Sequence, residues 1–338
     1  MGIYTQVKEG LIHKMDVETT ILDIPKTKGN FNHNPSIARD SKGQIWLSLR
    51  SNTVQVKKNF GLISDNNPKQ NHYTNQLYVG KLNEDTLAVT GLKEITPVDK
   101  KYFQWGIEDV RIFWRKDGLH GIGVIVNTSS GKHKVSQGEI LINYAKGTYT
   151  LIKDHGQPFG HTEKNWGPTV DENPHFDFAY SPTEVVVGNK VIGEPYDGSI
   201  HGGTQLLPYK DGYLAIAHIV TSVKGQKHYI SQALLRDKYG VTKEMSQTWH
   251  LDVGWREHLK ESVEFISGAV WSKGKEGSEL LVVLGVKDVL CGAARIPVDK
   301  LKLEPVQDFA YYNISFTEPP TRDGEPLESL ISSGKVKI

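Results

Sequence analysis

Five times along this 338-residue chain, a short polar cluster runs into an apolar strand, a turn, and a second apolar strand. The clusters are His33-Asn34-Pro35-Ser36, Gly106-Ile107-Glu108-Asp109, Glu163-Lys164-Asn165-Trp166, His201-Gly202-Gly203-Thr204 and Glu264-Phe265-Ile266-Ser267-Gly268. The turns are Asp40-Ser41-Lys42-Gly43, Lys116-Asp117-Gly118, Asp171-Glu172-Asn173-Pro174, Lys210-Asp211-Gly212 and Lys273-Gly274-Lys275-Glu276-Gly277. Apolar runs of four to eight residues around such turns are the strongest local hairpin signal. Segments of helical period are scarce. Val241 to Thr248 and Trp255 to Lys260 are the stretches expected to form a short helix or turn, and neither is long enough to cover a parallel sheet.

The repeat is one of shape rather than of letters. It predicts an all-β chain, a five-bladed β-propeller whose inner strands start near a central active-site pocket. A β-sandwich or two β domains remain open on the pattern alone. Residues 1–316 are expected to form the propeller domain. Residues 317–338, with Glu318-Pro319-Pro320 and Arg322-Asp323-Gly324, are expected to form an irregular C-terminal arm. Val54 to Tyr73 is polar, rich in Asn and Lys, and predicts a loop insertion.

A hydrophobic content of 38% with 7 Trp supplies a core, and the formal charge of +1 gives no global field toward nucleic acid or membrane. The single cysteine, Cys291, excludes an internal disulfide. The first residues have no apolar signal-peptide core, and no run approaches the roughly 18–20 apolar residues of a membrane span. The expectation is a cytoplasmic protein. The thirteen histidines are scattered and there are no cysteine pairs, so no metal or cofactor is expected.

The clusters, in this order, resemble those of glycoside hydrolase family 130, mannoside phosphorylases with some hydrolases and related glycosyltransferases on a five-bladed propeller. The likeness runs from about Asn32 to Leu301. Glu108-Asp109-Val110-Arg111 resembles the family's Glu-Asp-Pro-Arg, Asn34-Pro35 its early Asn-Pro, and Leu49-Arg50 its strand-end arginine. Glu163-Lys164-Asn165-Trp166 with Phe178-Ala179-Tyr180-Ser181 is similar to a motif of the glycosyltransferase-like relatives. Gly285-Val286-Lys287-Asp288 with Ala293-Ala294-Arg295-Ile296 resembles the last blade's Gly-x-x-Asp segment. Two departures matter. Val110 replaces the motif's proline, and Val126-Asn127-Thr128-Ser129-Ser130 lacks the downstream arginine that holds phosphate in phosphorylases.

The resemblance implies sugar transfer, and the departures favour an activated donor over phosphorolysis. Such chemistry needs a carboxyl group to move a proton or to stabilise an oxocarbenium-like centre. Asp109 is the expected catalytic carboxyl, with Glu108 beside it; burial and that neighbour are expected to raise its pKa. Arg111, two residues on, is expected to share a strand face with Asp109 and to hold it ionised or grip phosphate. Asn34, Arg50, Glu163, Asn165, His201, His218 and Asp288 are expected substrate ligands. Lys164 is expected to neutralise a donor phosphate, and Trp166 to lie in the core. Gly202 and Gly203 are expected to let backbone N–H groups approach a ligand.

The expected partners are a sugar donor, either a nucleotide sugar or a sugar phosphate, and a carbohydrate or other hydroxyl acceptor. Modified phage DNA is a further acceptor, with Lys57, Lys58 and Lys69 placed to meet phosphates. A glycoside phosphorylase, a glycosidase and a non-catalytic carbohydrate-binding propeller are the competing readings.

Overall fold

A computed structural model describes residues 13–29, 31–52, 54–56, 62–64, 75–129, 132–156, 164–188, 190–193, 200–223, 226–251, 253, 263–287 and 289–306. Within them the chain is all-β, with 3-10 turns only at Ser272–Gly274 and Val298–Leu301. The C-terminal arm, Asp288, Glu163, the Trp255 to Lys260 segment and most of the Val54 to Tyr73 insertion lie outside the described residues.

Antiparallel meanders follow one another along the chain. The first runs Phe31–Arg39, Ile45–Asn52, Gln76–Leu82, Val89–Pro97. The second runs Ile107–Arg115, Gly118–Ser129, Lys132–Asn143, Thr148–Gly156. A short parallel contact, Thr148 opposite Thr96 and Tyr149 opposite Pro97, joins their outer strands into one eight-stranded sheet. The third is small: Gly167–Pro168, Phe178–Ala179, Val185–Val187, Lys190–Ile192. In the fourth, Ile200–His201 and Leu207–Tyr209 both pair with Gly212–Val223, which pairs with Gln226–Asp237. In the last, Glu264–Trp271, Glu279–Val286 and Leu290–Pro297 are completed by Thr19–Ile21 from the other end of the chain.

The Val241 to Thr248 stretch departs from expectation. Thr242–Met245 is a strand on the edge of Gln226–Asp237. Thr242, Lys243 and Glu244 offer no helical apolar stripe, and the neighbouring strand's free hydrogen-bonding groups decide the conformation.

Apolar faces of successive meanders pack on one another. Ile37, Leu47, Leu281 and Val283 join the first to the last, and Val79, Ile112, Ile125 and Ile140 join the first to the second. Trp166 is fully buried with Phe113, Ile122 and Phe178. At the centre, buried Gln205 reaches three first strands. Its Nε2 donates to the carbonyls of Ile37 and Ile112, and its Oε1 accepts from Ala269 N–H at 3.0 Å. The side chains of Ser36, Ser48 and Ser267 add backbone contacts to Ile112, Val110 and Pro35. The first strands are thus held side by side, which brings their polar starts together.

Candidate active site

Three of the contributing first strands are interrupted where their polar clusters lie. The pairing register slips between His33 and Ser36, opposite Gly123 at Asp109-Val110, and between Ile266 and Gly268. An extra residue on one strand bends it and re-aims a side chain. At two of these bulges the residue is left-handed without being glycine: Asn34 (φ 48°) and Asp109 (φ 51°). Asn and Asp tolerate this conformation better than other side-chain-bearing residues. Gly123 is needed opposite the second bulge, because a Cβ there would lie 2.8 Å from the Glu108 carbonyl oxygen.

The bulges turn Asn34 and Asp109 toward each other. Asn34 Nδ2 donates to Asp109 Oδ1 at 2.8 Å. Arg50, near the end of Ile45–Asn52, donates from Nη1 to the same oxygen at 3.1 Å. Its Nη2 lies 3.4 Å from Glu108 Oε1. Lys164, about half exposed, reaches Glu108 Oε2 at 3.3 Å. Asn75 completes the group: its Oδ1 accepts from Arg50 Nε at 2.6 Å, and its Nδ2 donates to Glu108 Oε1 at 3.1 Å. Glu108, Asp109, Arg50, Asn34 and Asn75 are all buried.

The electrostatics differ from the expected raised pKa. Burial does push the Asp109 carboxyl upward. The charges of Arg50, Lys164 and Arg111, with the Asn34 hydrogen bond, outweigh it and hold Asp109 well below the usual carboxylate range. Glu108 is also lowered: burial and Asp109 raise it, but Arg50 and Lys164 prevail. Both groups are carboxylates at neutral pH. The reason is Arg50, fifty-nine positions away in sequence from Asp109.

Arg111 is placed differently from the expectation. The bulge at Asp109 breaks the simple alternation of faces, and Arg111 bonds to the Asp109 carbonyl, from Nη1 at 2.6 Å, rather than to its carboxylate. Its Nε donates to the Gly203 carbonyl at 3.0 Å, and its guanidinium lies 4.9 Å from the Phe265 ring centroid. Nη2 is buried with no hydrogen-bond partner among the described residues. Burial pushes this guanidinium down to about 10, so it stays charged at neutral pH.

His201 and His218 face each other across paired strands, ring centroids 5.9 Å apart. His218 packs edge-on to Phe265 at 4.8 Å and parallel to Tyr229 at 5.7 Å. Burial first, then electrostatic repulsion from His201 and Arg111, push His218 down to about 3, so it is neutral. Tyr180 lies 5.8 Å from His201. The cluster therefore has a charged side, from the first two meanders and Lys164, and an aromatic side of Tyr180, His201, His218, Tyr229 and Phe265.

At Gly202 and Gly203 the structure shows a packing requirement. A Cβ on Gly202 would lie 2.1 Å from the Asn165 carbonyl oxygen, and one on Gly203 2.2 Å from that of Ile216. They are small because backbones cross there. Asn165 is left-handed (φ 69°), and its Oδ1 is buried without a hydrogen-bond partner among the described residues. Asn34, Arg50, Glu108, Asp109, Arg111, Lys164, Asn165, His201, Gly202, Gly203 and His218 thus come together. Asn75 was not foreseen, because nothing in Thr74-Asn75-Gln76 distinguishes it. Among the described residues, no cluster of His, Cys, Asp and Glu could hold a metal ion.

Solved structures of mannoside-active proteins match this chain over most of its length. The β-1,2-mannobiose phosphorylase of Listeria innocua, in complex with β-1,2-mannobiose, aligns with a TM-score of 0.53 at 16% identity, covering 87% of this chain and 96% of that one. A mannose phosphorylase of Leishmania mexicana, in complex with phosphate ion, aligns with a TM-score of 0.52 at 11% identity, covering 89% and 94%. The fold is shared. A GDP-Man-dependent mannosyltransferase of the same organism aligns equally well, with a TM-score of 0.52 at 11% identity, covering 88% and 95%. No family model matches the sequence, and no curated protein is similar to it in sequence.

Proposed function

We propose that this protein is a carbohydrate-active enzyme that transfers a glycosyl unit, in the first instance mannosyl, from a phosphate-bearing activated donor to a hydroxyl acceptor. We read the successive meanders as five blades, with the cluster at their common axis. The carrying observation is the Asp109 carboxylate, aimed by a left-handed bulge and held ionised by Arg50 and Asn34. The fold is the one on which mannoside phosphorylases and a GDP-Man-dependent mannosyltransferase are built.

The chemistry follows from the charges. Oδ1 of Asp109 is committed to Asn34 and Arg50. Its second oxygen is the one to accept a proton from a sugar hydroxyl as the glycosidic bond forms. Glu108, tied to Arg50 and Lys164, keeps the cations in place and adds negative potential beside an oxocarbenium-like centre. The spare Arg111 Nη2 and the half-exposed Lys164 are the donors for a leaving phosphate. Phosphorolysis is the reverse bond change and is the second reading: inorganic phosphate attacks, the glycosidic bond breaks, and the departing sugar oxygen takes up the proton. The mannose phosphorylase with phosphate on the same fold favours it.

A donor screen separates the readings. The candidates are GDP-mannose, mannose 1-phosphate, and β-1,2-mannobiose with inorganic phosphate, with Asp109→Asn as control. Transfer is expected from a phosphate-bearing donor, with loss of turnover in Asp109→Asn. A non-catalytic sugar-binding protein would bind mannobiose and turn over none of the three. Full activity in Asp109→Asn would remove the assignment of Asp109.

A further inference from the structure

Arg50 has three donor-bearing nitrogens, and each faces a different residue: Nε faces Asn75, Nη1 Asp109 and Nη2 Glu108. A guanidinium is planar and rigid, so fixing one nitrogen sets the direction of the other two. Left alone between two carboxylates, an arginine favours a two-pronged grip on one of them. The other carboxylate would then sit buried beside a like charge, and its pKa would rise. Here the grip is split. The group that splits it is Asn75.

We propose that Asn75 is the positioning residue of the site, the amide that divides Arg50 between Asp109 and Glu108. Its orientation is chemically unambiguous. Oδ1 meets a donor, Arg50 Nε, while Nδ2 meets two acceptors, Glu108 Oε1 and the Trp105 carbonyl at 3.2 Å. The residue is itself clamped. Its N–H donates to the Trp105 carbonyl at 3.0 Å, and left-handed Gly106 packs so closely that a Cβ there would lie 1.9 Å from the Asn75 carbonyl oxygen. The strand carrying Glu108 and Asp109 starts at the next residue, Ile107, so the same contact locates that strand against Gln76–Leu82. Asn75 touches no reacting atom; it acts through Arg50 and Glu108.

The polarity of the contacts supplies a discriminating variant. Asn75→Asp has nearly the same shape and keeps an acceptor for Arg50 Nε. It replaces the donor to Glu108 and Trp105 with an oxygen, placing like against like. Asn75→Ser removes both contacts while leaving room for water. Carboxyl 13C chemical shifts of Asp109 and Glu108, followed against pH in the full chain, read the effect without any substrate. In the wild type both are expected to titrate below the ordinary carboxylate range. In both variants at least one is expected to rise by about one unit, a roughly tenfold gain in the protonated fraction through the transition. Unchanged titrations in folded variants would overturn the proposal. Loss of folding in both would also overturn it, since Asn75 would then be a structural residue.

The activity consequence rests on the glycosyl-transfer reading. The acid limb of kcat/KM with the donor found in the screen should move to higher pH in Asn75→Asp, a displacement that mere loss of folded protein does not produce. Shifted titrations in a protein inactive on all three donors would keep the positioning role and remove the function. Activity with unshifted titrations would do the reverse.

Discussion

Arg50 Nη1 lies 3.1 Å from Asp109 Oδ1, inside a cluster in which neither side chain is more than a tenth exposed. Removing one partner of a buried ion pair leaves the other charge uncompensated, at a cost of about 3–5 kcal/mol. Arg50→Met is therefore expected to destabilise the protein by about 3 kcal/mol or more at neutral pH, read from urea denaturation. Adding Asp109→Asn to Arg50→Met should recover part of that loss. No recovery would mean that the arginine matters by packing alone.

Asp109 also sets a direction for acid sensitivity. Its folded-state pKa lies below the unfolded value, so its contribution is fully present above the unfolded pKa and is lost as pH falls toward the folded one. With an ordinary Asp near about 3.9, this loss belongs to strongly acid solution. His218 acts at milder pH. Its folded pKa is about 3, below the usual histidine value, so between pH about 6.5 and about 3 the unfolded chain binds the extra proton. Stability from this group is present above that window and falls as pH falls through it. His218→Phe should flatten the decline in thermal midpoint between pH 7 and pH 5; an unchanged slope would count against the neutral, buried histidine.

Gln205 ties three strands through one amide. Gln205→Leu keeps most of the volume but deprives the Ile37 and Ile112 carbonyls and the Ala269 N–H of this partner. Buried groups left unsatisfied cost about 1–3 kcal/mol each, so a loss of roughly 3 kcal/mol or more is expected. Equilibrium denaturation measures it, and a loss below about 1 kcal/mol would show that the neighbouring backbone closes the gap without Gln205.

The hairpins were legible because their signals are local. Lys116-Asp117-Gly118 and Lys210-Asp211-Gly212 carry their turn geometry in the residues themselves, and strands flank them in the structure. The polar starts were legible as places, since Asn34, Glu108, Asp109, Lys164 and His201 do converge. Their states were not. Whether Asp109 titrates high or low depends on Arg50, and Arg50 on Asn75, partners that only the assembled sheets bring within 3.1 Å and 2.6 Å. The crowding at Gly202 was equally invisible, being the passage of the Asn165 carbonyl. Thr242–Met245 became a strand because a neighbouring strand edge was available, which no window of eight residues displays.

Thr20 is paired with Ala293. A ribosome makes the first of these long before the second, so Thr19–Ile21 waits for its sheet until residues 264–297 have emerged. During synthesis, Leu290–Pro297 is the latecomer that both finishes a sheet and captures the waiting Thr19–Ile21. Circularly permuted chains that begin between Ile21 and Phe31 would make Thr19–Ile21 after the other three strands of that sheet, and would test whether closing this sheet limits the rate of folding.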